Sequence, residues 1–217
     1  MGTITRGFAN NITTSGVLLP ASLVNNSIAN VTSYNAAIAT GSMVLLSSQT
    51  ASNSASISFT TGINSTYKEY QFYFIDIHPR TNAAFFQFNM STDSGSNYNV
   101  TKTTTFFRAY QNEAGTDTAL SYGGSSDLAQ STSFQDLSPF VGSGADESCS
   151  GSMTLFNPSS TTYVKHFISI FNHYDESDYT QEDFIAGYGN TTSAINAVQF
   201  KMSSGNFDGT ILMYGIV

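Results

Sequence analysis

The chain has 217 residues, enough for one large domain burying about 70% of its unfolded surface. Charged residues are 10% of the chain, and fifteen acids outnumber seven bases, which excludes a phosphate-tracking surface and with it nucleic acid as a partner. The lone cysteine, Cys149, excludes an intrachain disulfide and a cysteine-based metal site.

The first twenty residues, "MGTITRGFANNITTSGVLLP", carry one arginine and no apolar run of signal-peptide or membrane-span length. No membrane partner is therefore expected. Residues 1–41 are rich in Asn, Ser, Thr and Ala, with one apolar knot, Val17, Leu18, Leu19 and Pro20. So long a stretch without strand alternation does not suit the inside of a compact domain. It is expected to be an extended N-terminal arm that orders against a neighbouring protein, anchored by the knot. A free tail or an extra edge strand is the alternative.

From residue 42 the pattern changes to period-2 alternation and β-branched or aromatic runs. Strands are expected at 42–48, 55–60, 69–78, 83–91, 103–110, 151–157, 162–172, 183–190, 197–203 and 209–216. With polar, Gly- and Asn-rich turns between them, they point to an all-β fold. The expectation is an antiparallel two-sheet β-sandwich, jelly-roll-like, over 42–217. In "FFQFNMS", Phe86, Phe88 and Met90 share one side, opposite Gln87 and Asn89. "YQFYFIDIH" and "VKHFISIF" are apolar on both faces and suit central strands.

The run "STDSGSNY", Ser91 to Tyr98, has the Ser-x-Asp-x-Gly spacing of the Asp box of sialidases. It falls between two strands. Asp93 is expected to accept backbone N–H bonds across a turn, Gly95 to supply a positive φ and Tyr98 to pack beneath. Sialidase chemistry would need an arginine cluster, and the chain has only Arg6, Arg80 and Arg108. The box is therefore read as a structural turn, and no enzymatic activity is expected.

The stretch from His173 to Asp183 gathers Asp175, Glu176, Asp178, Glu182 and Asp183. Its spacing matches no EF-hand loop, so a solvated acidic loop is expected over a calcium site. His166, alternating with Val164 and Ile168, is expected in the core or an interface, and His78 at a turn. No cofactor and no metal are expected. A Ser-His-Asp triad remains open among so many serines, although no Gly-x-Ser-x-Gly elbow is present. Cys149, beside acids, is expected to have a raised pKa and to be a poor nucleophile. Tyrosines near the expected turns, Tyr110 and Tyr179 among them, suit contacts with proteins or sugar faces.

Several stretches together resemble a family of structural proteins of tailed phages of marine bacteria: "GVLLPASLVNNSIANVTSYN", "LLSSQTASNSASISFTTGINSTYKEYQFYFIDIHP", "CSGSMTLFNPSSTTYVKHF" and the terminal "MSSGNFDGTILMYGI". The resemblance implies a virion component at the particle surface. Its first form is a capsid decoration (cement) protein that binds the major capsid protein or other virion proteins. The alternative is a tail-fibre or receptor-binding module for a host glycan. A homo-oligomer, trimeric for example, is expected in either case.

Overall fold

The computed structural model describes residues 42–217; the expected arm and its Val17–Pro20 anchor lie outside these residues. Twelve strands form the described part: β1 (Met43–Ser54), β2 (Ser56–Phe59), β3 (Glu69–Pro79), β4 (Ala84–Ser91), β5 (Lys102–Asn112), β6 (Thr118–Tyr122), β7 (Gln135–Val141), β8 (Cys149–Phe156), β9 (Lys165–Tyr174), β10 (Tyr179–Gly189), β11 (Ala197–Met202) and β12 (Phe207–Ile216). All ten expected strands are present. Two more, β6 and β7, carried no clear signal.

The strands make an eight-stranded sheet, β1-β12-β3-β8-β9-β10-β5-β6, and a four-stranded sheet, β2-β11-β4-β7, each antiparallel throughout. Within this order β1-β12-β3-β8 and β2-β11-β4-β7 are the two four-stranded sheets of a jelly roll. The pairs β5–β6 and β9–β10 are additions to that plan, and both widen the first sheet. The expected sandwich is thus the fold.

Alternation along the strands builds the core between the sheets. Phe72 and Phe74 of β3, Phe86 and Phe88 of β4, Phe171 of β9 and Phe200 of β11 are all buried. Their rings meet at centroid distances such as 4.9 Å for Phe74–Phe171 and Phe74–Phe200. Burying one such side chain is worth about 1.5–3 kcal/mol. Asn89 departs from the simple two-sided reading of β4, because it is buried as well and donates to the Tyr98 and Thr132 carbonyls.

On β9 the inward phase is Lys165, Phe167, Ser169, Phe171 and His173. His166 therefore stands exposed on the outer face beside the Tyr188 ring, and the expectation of a core histidine there is corrected. The aromatic pair Phe167 and Phe171 sets the phase, and Val164 and Ile168 are left outside. Lys165 and Lys102 pair in register with Gly189 from either side and are fully buried. The Lys102 ammonium donates to Asn89 Oδ1 at 2.6 Å and to the Val100 carbonyl at 2.8 Å, with no carboxylate among its hydrogen-bond acceptors. Burial lowers its pKa to about 7.

Candidate ligand-binding cleft

The Ser91–Tyr98 segment is a turn held from within. Ser91 Oγ donates to Asp93 Oδ1 at 2.6 Å and accepts from the Gly95 N–H. Asp93 in turn accepts from the Asn97 backbone and side-chain amides at 2.9 and 2.7 Å. These donors, Ser91 first, lower the Asp93 pKa to about 2. Gly95 has φ +87°, and a Cβ there would lie 2.7 Å from the Tyr98 hydroxyl. The Ser91 and Asp93 side chains are thus engaged in the turn itself, while Ser94 is tied to Asn196.

The acidic stretch divides. Its two ends are the last residues of β9 and the first of β10, and only residues 175–178 form the turn. Asp175 is half-buried, whereas Glu176 and Asp178 are exposed in that turn and Glu182 is exposed on β10. His173 and Asp183, expected in a solvated loop, are instead buried between the sheets, His173 1% and Asp183 0% exposed. Strand phase is the reason: both follow the inward positions of their strands. Among the described residues no cluster of three His, Cys, Asp or Glu side chains forms a metal-holding group.

Around His173 the sandwich brings together Ser138 of β7, Asp183 of β10 and, in register on β8, Cys149. These residue types suggest a nucleophile–histidine–carboxylate relay, and the geometry does not make one. Ser138 Oγ and Asp183 Oδ2 both approach His173 Nδ1, at 2.8 and 3.0 Å, while Nε2 is buried with no partner among the described residues. A relay needs the hydroxyl on one ring nitrogen and the carboxylate on the other. Burial, more than the neighbouring acids, pushes the Cys149 thiol upward.

The same cluster has a structural duty. Asp183 Oδ1 accepts from Gln181 Nε2 at 2.7 Å, which turns the Gln181 carbonyl oxygen toward Arg108 Nη1 at 3.2 Å. Arg108 lies 5.5 Å above the centre of the Tyr110 ring, and Tyr110 meets Tyr179 edge to face at 5.6 Å. The Tyr179 hydroxyl donates to Asp117 at 3.0 Å, and that bond raises its pKa. Arg108 Nε is buried with no acceptor among the described residues, an omission that costs about 1–3 kcal/mol.

Arg108, Tyr110, Tyr179 and Gln181 share the inward phase of β5 and β10. Phe140 of β7, Asp117 and residues 175–177 complete an open cleft of about 260 Å³. Phe140 itself has φ +58°. The 175–178 turn is tied to β7, because Glu176 N–H donates to the Phe140 carbonyl at 3.3 Å. No local sequence pattern marks this cleft, whose residues come from four separate segments; a lone arginine in a run of aromatics, "FFRAY", was the available signal.

The outer face of the widened sheet is different in kind. Across β8, β9, β10, β5 and β6 one registered row reads Ser152, Ile170, Phe184, Phe107 and Tyr122. Phe107 and Phe184 stack at 4.7 Å with their planes 5° apart. Ile168, Ile170, Phe107, Leu120 and Tyr122 are exposed. Glu182 is the one carboxylate pointing out from β9, β10, β5 and β6, and no Lys or Arg does so.

Comparisons with family models, with curated proteins and with solved structures found no match to this chain.

Proposed function

We propose that this chain is a structural protein of a phage virion, a decoration protein that binds the assembled head through residues 1–41 and a face of its sandwich. The observation that carries the reading beyond sequence resemblance is the outer face of β9, β10, β5 and β6. Clustered exposed apolar side chains on a nearly uncharged face mark protein contact. A jelly roll hosts many functions, so the fold supports the reading only as a compatible scaffold. Stoichiometry in purified particles tests it. Quantitative mass spectrometry is expected to find this chain in numbers comparable to the major capsid protein, and a count typical of tail appendages would refute head decoration.

A second reading, a tail-fibre or receptor-binding module for host-surface polysaccharide, is favoured by the Arg108–Tyr110–Tyr179 cleft. Adsorption of the purified protein to host cells tests that reading.

A further inference from the structure

We infer that the cleft between β5, β10 and the end of β7 is a binding site for one uncharged sugar ring, with Arg108, Tyr110 and Tyr179 as its contact residues. The inference deepens the second reading above and rests on it for the source of the sugar, a host-surface polysaccharide. The site's own chemistry selects the ligand class.

A volume of about 260 Å³ falls near the lower end of small-ligand pockets, which run from roughly 300 to 1,000 Å³. It suits a single ring with its neighbours left in solvent. Two tyrosine rings set edge to face, 76° apart, offer apolar surface to C–H groups, and the Tyr179 hydroxyl adds a polar tip. Arg108 brings donors already aimed by the Gln181–Asp183 chain, and its buried Nε has no acceptor among the described residues. Nε itself is closed off from the cleft, so a sugar hydroxyl or ring oxygen meets the terminal guanidinium N–H groups. Asp117, Asp175 and Glu176 line the same space, and each carboxylate can accept from a sugar hydroxyl.

Charge then narrows the choice. A uronic or sialic acid would be drawn to Arg108 and repelled by three carboxylates. An amino sugar would be drawn to the same carboxylates, but its ammonium carries no acceptor for the Arg108 donors. A ring with hydroxyls and no charge uses donors and acceptors alike, at no electrostatic cost. Rigidity is the remaining point. Arg108 is held through Gln181, Asp183, Ser138 and His173, so little side-chain freedom is lost on binding.

The experiment uses the full chain and free saccharides. Glucose-, galactose-, mannose- and N-acetylglucosamine-terminated oligosaccharides are compared with uronate- and glucosamine-terminated ones by saturation-transfer NMR and calorimetry. At least one uncharged sugar is expected to bind, and the uronate-terminated ones at least tenfold more weakly; preferential binding of the glucosamine-terminated sugar would overturn the assignment to an uncharged ring. Arg108→Gln and Tyr110→Ala are each expected to lose at least tenfold in affinity. Tyr179→Phe, which keeps the ring and the fold, is expected to lose about threefold. Binding by none of the uncharged sugars, tighter binding of a uronate, or full affinity in Tyr179→Phe and Arg108→Gln together would overturn the inference. Cell adsorption separates it from the reading it rests on. Adsorption unaffected by Arg108→Gln would leave receptor binding standing with the cleft excluded. Saccharide binding without adsorption would do the reverse.

Discussion

Lys102 shows what one buried charge does to a fold with few charges. Its ammonium faces an amide oxygen and a carbonyl but no carboxylate, and its pKa is lowered to about 7 from 10.5 by burial. Between those two values the unfolded chain holds a proton that the folded chain has released, so stability rises with pH across that window. Unfolding free energy is expected to increase by about 2–3 kcal/mol from pH 6 to pH 9, measured by denaturant titration. Lys102→Met is expected to flatten that rise; an unchanged slope would assign it to other groups. Asp93 works in the opposite sense. With its pKa lowered to about 2 from 3.8, its contribution is complete above the unfolded value and disappears as pH falls through about 2. Asp93→Asn is expected to weaken the turn at pH 7 and to narrow the gap to wild type below pH 3. Gly95→Val forces a β-branched residue to φ +87° and is expected to cost about 1–3 kcal/mol, read as a lower melting temperature.

At the scale of elements, alternation made most strands legible and failed where side chains break the period-2 code. β7, "QDLSPFV", holds Asp136, Ser138 and Pro139, residues that argue against a strand, yet five of its first five residues are buried because β7 packs across β9 and β10. β6, "TALSY", is a short edge strand with an exposed leucine, too brief for its pattern to register. Faces were readable where aromatics dominate, as in β4. They were misread on β9, where Val164 and Ile168 suggested one phase and Phe167 and Phe171 set the other. The turn at Asp93 was legible because all its partners are local. The cleft was not, because β7, β10 and both added hairpins meet only in three dimensions. The added hairpins also make the outer face testable. Phe107 and Ile170 are 43% and 41% exposed, so Phe107→Lys with Ile170→Lys should change stability by about 1 kcal/mol or less. Attachment to particles is expected to fall sharply in the double variant, measured by co-sedimentation. Retained binding would move the contact off this face.

For the whole molecule, 10% charged residues leave little material for ion pairs with the capsid that the proposed decoration role requires. Apolar burial is not weakened by added salt, whereas exposed charge pairs are screened. Particle binding is therefore expected to persist in about 1 M NaCl; release at moderate salt would indicate an electrostatic attachment. The described residues contain their own continuous core, so removal of residues 1–41 is expected to leave the melting temperature of the sandwich little changed while incorporation into particles is lost. β1 and β12 are neighbours, and the Val217 N–H donates to the Ser42 carbonyl at 3.0 Å. The sandwich is thus nearly a closed loop of chain. Joining Val217 to Ser42 by a few glycines and opening the backbone at the exposed Thr161–Thr162 should yield a circular permutant of residues 42–217 with the same sheets. A protein engineer would gain a second exit for a displayed peptide, on a loop far along the chain from the natural one.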